Sequence, residues 1–225
     1  MKKFVFLILL FVVVGAASAQ TLPTIAILGD SYSTFENYVE PSSNEVWYFS
    51  SGRDYTDVKD VRETWWQVLA REHGYKIGIN NSYSGSTVCR TGYRGEDYTD
   101  RAFITRMSNL GNPDIILIFG ATNDSWAKVP IGEYKWGDWT SEELYSFRPA
   151  MAKLMDGVLA RYPNVKIYFI LNDILSDEIN ESVDTICSRY GVDVVKLKDI
   201  DKKSGHPSVE GMRQIASQVA AKIKK

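Results

Sequence analysis

Two cysteines and two histidines in 225 residues leave this chain little with which to hold a metal or build a disulfide framework. No Cys/His cluster has zinc spacing, so no metal or organic cofactor is expected. Cys89 and Cys187 are read as two separate buried thiols rather than a bridge. An excess of basic charge is also missing: 26 Lys and Arg face 28 Asp and Glu. Without it there is no cationic surface to recruit nucleic acid or an acidic membrane. No linker rich in Pro, Gly or Ser, no repeat of solenoid period and no low-complexity tract divides the chain. Asp54-Tyr55-Thr56-Asp57 and Asp97-Tyr98-Thr99-Asp100 echo one another but lack the ligand pattern of a calcium loop, and are read as solvated loops.

Long apolar runs are confined to the N-terminus. Lys2 and Lys3, the stretch from Phe4 to Val14 and the small residues Ala17-Ser18-Ala19 have the pattern of an export signal over residues 1–19. The stretch is shorter than the ~20 residues a membrane span needs, and small residues follow it at once. The mature chain, residues 20–225, is expected to be one periplasmic or extracellular domain with no integral membrane span. Removing 19 residues from 225 leaves 206, within the range of a single full core. Loss of the two lysines takes the net charge from −2 to −4, which suits a small neutral or sugar-like partner.

Short apolar runs then alternate with amphipathic stretches. Strands are predicted near Thr24 to Leu28, Lys76 to Ile79, Asp114 to Phe119, Val165 to Leu171 and Asp193 to Leu197. Helices are predicted near Arg62 to His73, Arg101 to Leu110, Pro149 to Tyr162, Ser176 to Tyr190 and Val209 to Lys224. Ile115-Ile116-Leu117-Ile118-Phe119 is apolar throughout, as a strand covered on both faces should be. The alternation argues an α/β fold with a five-stranded parallel sheet wrapped by helices. Two connections are long for such a fold, Tyr32 to Val61 and Trp126 to Thr140, and long loops of this kind are commonly functional. Both follow a strand, so both belong at the carboxyl edge of the sheet, where open α/β sheets put their ligands. Trp47, Tyr48, Trp126, Tyr134, Trp136 and Trp139 lie in them.

Chemistry-bearing residues cluster at the predicted strand ends. Gly29-Asp30-Ser31 presents a hydroxyl after the first, and Ser204-Gly205-His206-Pro207-Ser208 near the C-terminus supplies the base a serine needs to become nucleophilic. Asn81-Ser82-Tyr83-Ser84-Gly85-Ser86 follows the second strand, with Gly85 offering a backbone N–H. Gly120-Ala121-Thr122-Asn123-Asp124 follows the third, where the Asn123 amide can donate another hydrogen bond. Acyl transfer needs this set: a nucleophile, a base, and donors aimed at the oxygen that becomes negative. His73, near a helix end, is read as a solvated residue favourable to the helix dipole.

Gly29-Asp30-Ser31, Gly85, Gly120-x-x-Asn123 and the late His206-Pro207 occur in the order and spacing of the SGNH hydrolases, also called GDSL-type esterases and lipases. The chain resembles that family over nearly all of its mature length. The resemblance implies a flavodoxin-like three-layer α/β/α sandwich, Ser31 as nucleophile, His206 as base, and an oxyanion hole made by the N–H groups of Ser31 and Gly85 with the Asn123 amide. It sets the bond cleaved, a carboxylic ester, and not the molecule. Export, mild acidity and tryptophan-bearing loops favour acetyl or other small acyl groups on glycans, with Trp126, Trp136 and Trp139 as candidate walls for a sugar ring or acyl chain. O-acyl transfer at the same site and a non-catalytic glycan-binding module are the alternatives.

One position departs from the family. Lys203 stands three residues before His206, where an aspartate usually orients the ring, and a lysine cannot accept the imidazole N–H. Asp201 is the expected orienter, with Asp199 or a backbone carbonyl as the other choices.

Overall fold

The computed structural model describes residues 21–223; the expected export segment lies outside the described residues. Five parallel strands form one sheet in the order β2-β1-β3-β4-β5: β1 (Thr24–Gly29), β2 (Lys76–Ser82), β3 (Ile115–Gly120), β4 (Lys166–Leu171) and β5 (Asp193–Lys196). Helices α1 (Trp65–His73), α2 (Phe103–Arg106), α3 (Thr122–Ala127), α4 (Phe147–Arg161), α5 (Asp177–Tyr190) and α6 (Val209–Lys222) complete the fold. All five expected strands are present.

Because successive residues of a strand face opposite sides, the sheet builds two cores. Ala26, Leu28, Ile116 and Ile118 pack with α2, α4 and α5, while Ile25, Ile27, Leu117 and Phe119 pack with α1 and α6. That gives the three-layer α/β/α sandwich implied by the family resemblance. All six residues of β3 are buried, consistent with its central place. Cys89 and Cys187 are buried free thiols. Helix α2 is shorter than the pattern suggested, and α3 was not expected; it begins directly after β3, with Ala121 at φ +71° making the turn.

Strand order reverses direction beside β1, so the carboxyl ends of β1 and β3 open onto the crevice where such sheets bind ligands. A two-stranded antiparallel hairpin, β6 (Lys202–Lys203) and β7 (His206–Pro207), leads into α6 at the same edge. Among the described residues no helix is long and apolar enough to cross a membrane.

Candidate active site

Ser31 begins a single 3-10 turn (Ser31–Ser33) directly after β1. Asp30 caps that turn: its Oδ1 accepts the Tyr32 N–H at 3.0 Å. Burial pushes the Asp30 carboxyl up to about 7, and its observed role is to fix the turn that aims Ser31. Thr34 adds a second tie, donating from Oγ1 to the Ser31 carbonyl at 2.9 Å.

His206 reaches the same point from the other end of the chain, with Nε2 2.9 Å from Ser31 Oγ. Both residues are buried to within a few per cent, Ser31 at 3 % and His206 at 6 % exposure. Two buried phenols brace the segment on either side of the ring. Tyr32 donates to the Gly205 carbonyl at 2.6 Å, and Tyr48 donates to the Pro207 carbonyl at 3.0 Å. Desolvation lowers the imidazole to about 4, with the cation of Lys202 a smaller cause in the same direction. A neutral imidazole is the form that can take a proton from a hydroxyl.

Asp201 does not orient that ring. The β6–β7 register pairs Lys203 with His206 and Lys202 with Pro207, which carries Asp201 on to the level of Ser208. There the Asp201 carbonyl accepts the Ser208 N–H at 3.1 Å, and its carboxylate accepts the Ser208 hydroxyl. The polar neighbour of His206 Nδ1 is the Ser204 carbonyl at 3.3 Å. Asp199 lies further back, at φ +53° in the turn before the hairpin. The arrangement is a serine–histidine pair whose ring has a backbone carbonyl, not a carboxylate, at Nδ1 among the described residues.

The oxyanion candidates follow β2 and β3, the two strands that pair with β1 up to Gly29. Gly85 sits at φ +79°, a left-handed conformation that favours glycine, and a Cβ added there would meet nothing within 4 Å. Backbone conformation is therefore what calls for glycine at this position, and the space before it is open. Arg106, buried, ties this loop to β1: it donates to the Gly29 carbonyl at 3.2 Å and to Ser86 Oγ at 2.9 Å. Asp124 holds the far side, accepting the Val88 N–H at 2.9 Å and the Cys89 N–H at 3.3 Å. Asn123 Nδ2 donates one hydrogen to the Ser86 carbonyl at 3.0 Å, while Tyr93 donates its hydroxyl to Asn123 Oδ1 at 2.8 Å. These two bonds fix which way the amide faces, and leave its second N–H free to donate.

The tryptophans divide. Trp126, 40 % exposed, lies edge-on to His206 with ring centroids 5.9 Å apart. Trp136 and Trp139 do not join it. Trp136 stacks on Tyr134 at 5.7 Å and packs near Tyr190 and Arg189 at the end of α5. Trp139 donates to the Lys135 carbonyl at 3.0 Å and lies against Lys153 of α4. Helices α4 and α5 hold this loop on the flank of the sandwich, where Tyr134, Trp136 and Trp139 pack, partly buried, against the core on that side of the sheet, so neither tryptophan is a wall of the site. The ring that stacks on His206 is instead Trp47, parallel to the imidazole at 3.7 Å and 7°. Its presence in a long loop after a strand was the only sequence signal for it.

The GDSL-like Lipase/Acylhydrolase profile matches residues 23–223, nearly the whole described chain. This protein belongs to the GDSL-like lipase/acylhydrolase family. A crystal structure of a candidate GDSL-like lipase from Bacteroides ovatus is 57 % identical, with TM-score 0.89 over 90 % of this chain and 98 % of that one. Another from Bacteroides uniformis is 52 % identical, with TM-score 0.89 over 91 % and 96 % of the two chains. A family two carbohydrate esterase from Clostridium thermocellum, solved with cellohexaose, shares the fold at 17 % identity and TM-score 0.61, over 90 % of this chain and 63 % of that one. No functionally curated protein matches the chain. Membership makes the protein an ester hydrolase by family and accords with a small ester substrate.

Proposed function

We propose that Ser31 and His206 form a catalytic dyad that cleaves carboxylic esters through an acyl-enzyme. The observation that carries this reading is the 2.9 Å contact between His206 Nε2 and Ser31 Oγ at the carboxyl edge of the sheet. In the first half-reaction Ser31 Oγ bonds to the substrate carbonyl carbon, its proton passes to His206 Nε2, and the carbonyl electron pair moves onto oxygen. The N–H groups of Ser31 and Gly85 and the free Asn123 N–H receive that negative charge. Collapse expels the alcohol, which takes the proton back from Nε2. Water then repeats the sequence on the acyl-enzyme and frees Ser31.

For substrate we propose acetyl or similar small acyl groups on glycans, acted on outside the cytoplasm by a chain exported through residues 1–19. Three observations support this. Trp126 is a half-exposed aromatic beside His206, of the kind that stacks on a sugar ring. The chain is mildly acidic overall, with no net positive charge to draw it to anionic lipid. A carbohydrate esterase of the same fold is seen with cellohexaose. The test is an assay of the purified protein on acetylated oligosaccharides, aryl esters of increasing chain length and a lysophospholipid. Release of acetate from the oligosaccharides in preference to the others supports the assignment, and preference for long chains or lysophospholipid refutes it.

A further inference from the structure

We infer that Trp47 is a positioning residue for the dyad, its indole face stabilising the imidazolium that forms when His206 accepts the Ser31 proton. The inference rests on the dyad reading above and addresses what that reading leaves open. Among the described residues His206 Nδ1 meets the Ser204 carbonyl and no carboxylate, so the dyad has no full negative charge there to offset the cation, and this histidine is buried, so the cation is costly to form.

The geometry of Trp47 meets that need. Its ring lies flat on the imidazole at 3.7 Å and 7°, well inside the distance at which an aromatic face attracts a cation. Indole presents the most electron-rich face of the aromatic side chains, and the attraction strengthens where water is excluded. The other rings around His206 meet it at steeper angles: Tyr32 at 54°, Trp126 at 72° and Tyr48 at 78°. Only Trp47 among these stacks face to face.

Trp47 is also registered to the nucleophile through the backbone. Its N–H donates to Thr34 Oγ1 at 2.9 Å, and Thr34 Oγ1 donates in turn to the Ser31 carbonyl at 2.9 Å. Tyr55 backs the indole, with ring centroids 4.7 Å apart, and its hydroxyl donates to the Trp47 carbonyl at 3.3 Å. The long loop after β1 thus delivers a π face to His206 with the same short chain of bonds that holds Ser31. The proton path is unchanged: from Ser31 Oγ to Nε2, then to the departing alcohol. What Trp47 changes is the energy of the state in which Nε2 holds it.

Site-specific replacement of Trp47 by indoles carrying one, two and three ring fluorines tests this, because fluorine drains the π face while nearly keeping the shape. The account predicts that kcat on an aryl acetate falls with each fluorine, by about 5- to 30-fold across the series, with KM within about twofold. W47F should retain part of the rate and W47L least. A flat kcat across the fluorinated series overturns the inference, even if W47L is slow, because packing alone would then explain the contact. Unmodified protein that fails to cleave esters or to react with a fluorophosphonate at Ser31 would instead sink the dyad reading itself.

Discussion

Ser31 Oγ and His206 Nε2 are 2.9 Å apart, although 175 residues of chain separate them. The contact follows from topology: β1 ends at the sheet edge to which the β6–β7 hairpin returns just before α6. Buried phenols fix the histidine backbone from both sides, so the pair is held before any substrate arrives. Preorganisation of this kind is what lets a modest set of donors act on a developing charge.

The displaced aspartate gives the first prediction. Where a buried aspartate orients a catalytic histidine, its change to asparagine costs about 10⁴-fold in rate. Here Asp201 bonds Ser208 instead, so Asp201→Asn should alter kcat by less than about threefold. Steady-state kinetics against an aryl acetate decide it, and a fall of 10²-fold or more would restore the triad.

Asn123 and Tyr93 should act as one unit. Asn123→Ala is expected to lower kcat by about 10² to 10³ with little change in KM, as loss of one oxyanion donor does. Tyr93→Phe removes the bond that fixes the amide and should lower kcat by about 5- to 10-fold. In the Asn123→Ala background the Tyr93 change should add almost nothing, because its effect passes through the missing amide. Additive losses in the double variant would separate the two residues.

The tryptophans make a contrast. Trp126→Ala should raise KM several-fold for a glycan ester, since the exposed ring stands beside His206. Trp136→Ala and Trp139→Ala should leave KM within about twofold, because α4 and α5 hold those rings on the flank. Any loss they cause should be in melting temperature, from apolar contact removed. A large KM change in either would return the flank loop to the site.

Activity should survive into acid. His206 must be neutral to act as base, and burial pushes it from 6.5 down to about 4. Neutral imidazole therefore persists as pH falls through 6.5, and kcat/KM should drop only below about pH 5, with its inflexion well under 6.5. The same shift costs stability over that interval: the unfolded chain binds a proton at His206 that the folded chain does not, so this group's contribution to unfolding free energy decreases from about pH 6.5 to 4 and then levels. A pH–rate profile with an inflexion at or above 6.5 would contradict the buried, weakly basic ring.

Much of this was legible in the sequence because it depends on local pattern. Apolar runs of strand length gave all five strands, and small or polar residues at three strand ends located Ser31, Gly85 and Asn123. What escaped depends on tertiary geometry. Asp201 is two residues from Lys203 in sequence, but a hairpin register no propensity encodes turns it toward Ser208. Trp136 and Trp139 share a long loop with other aromatics, yet whether a loop folds over the site or down the flank is decided by the helices it meets. Trp47 is partnered with a residue 159 positions away, and nothing local marks it. Helix α3 was hidden by its length of 6 residues, too short for periodicity to show.

The central claim is that Ser31, activated by His206, is the nucleophile. Mass spectrometry of the folded protein after brief exposure to a fluorophosphonate tests it most directly. The account predicts a single adduct mapping to Ser31, absent from Ser31→Ala and at least about 10³-fold slower in His206→Ala. An adduct on another residue, or none on folded wild-type protein, would contradict it.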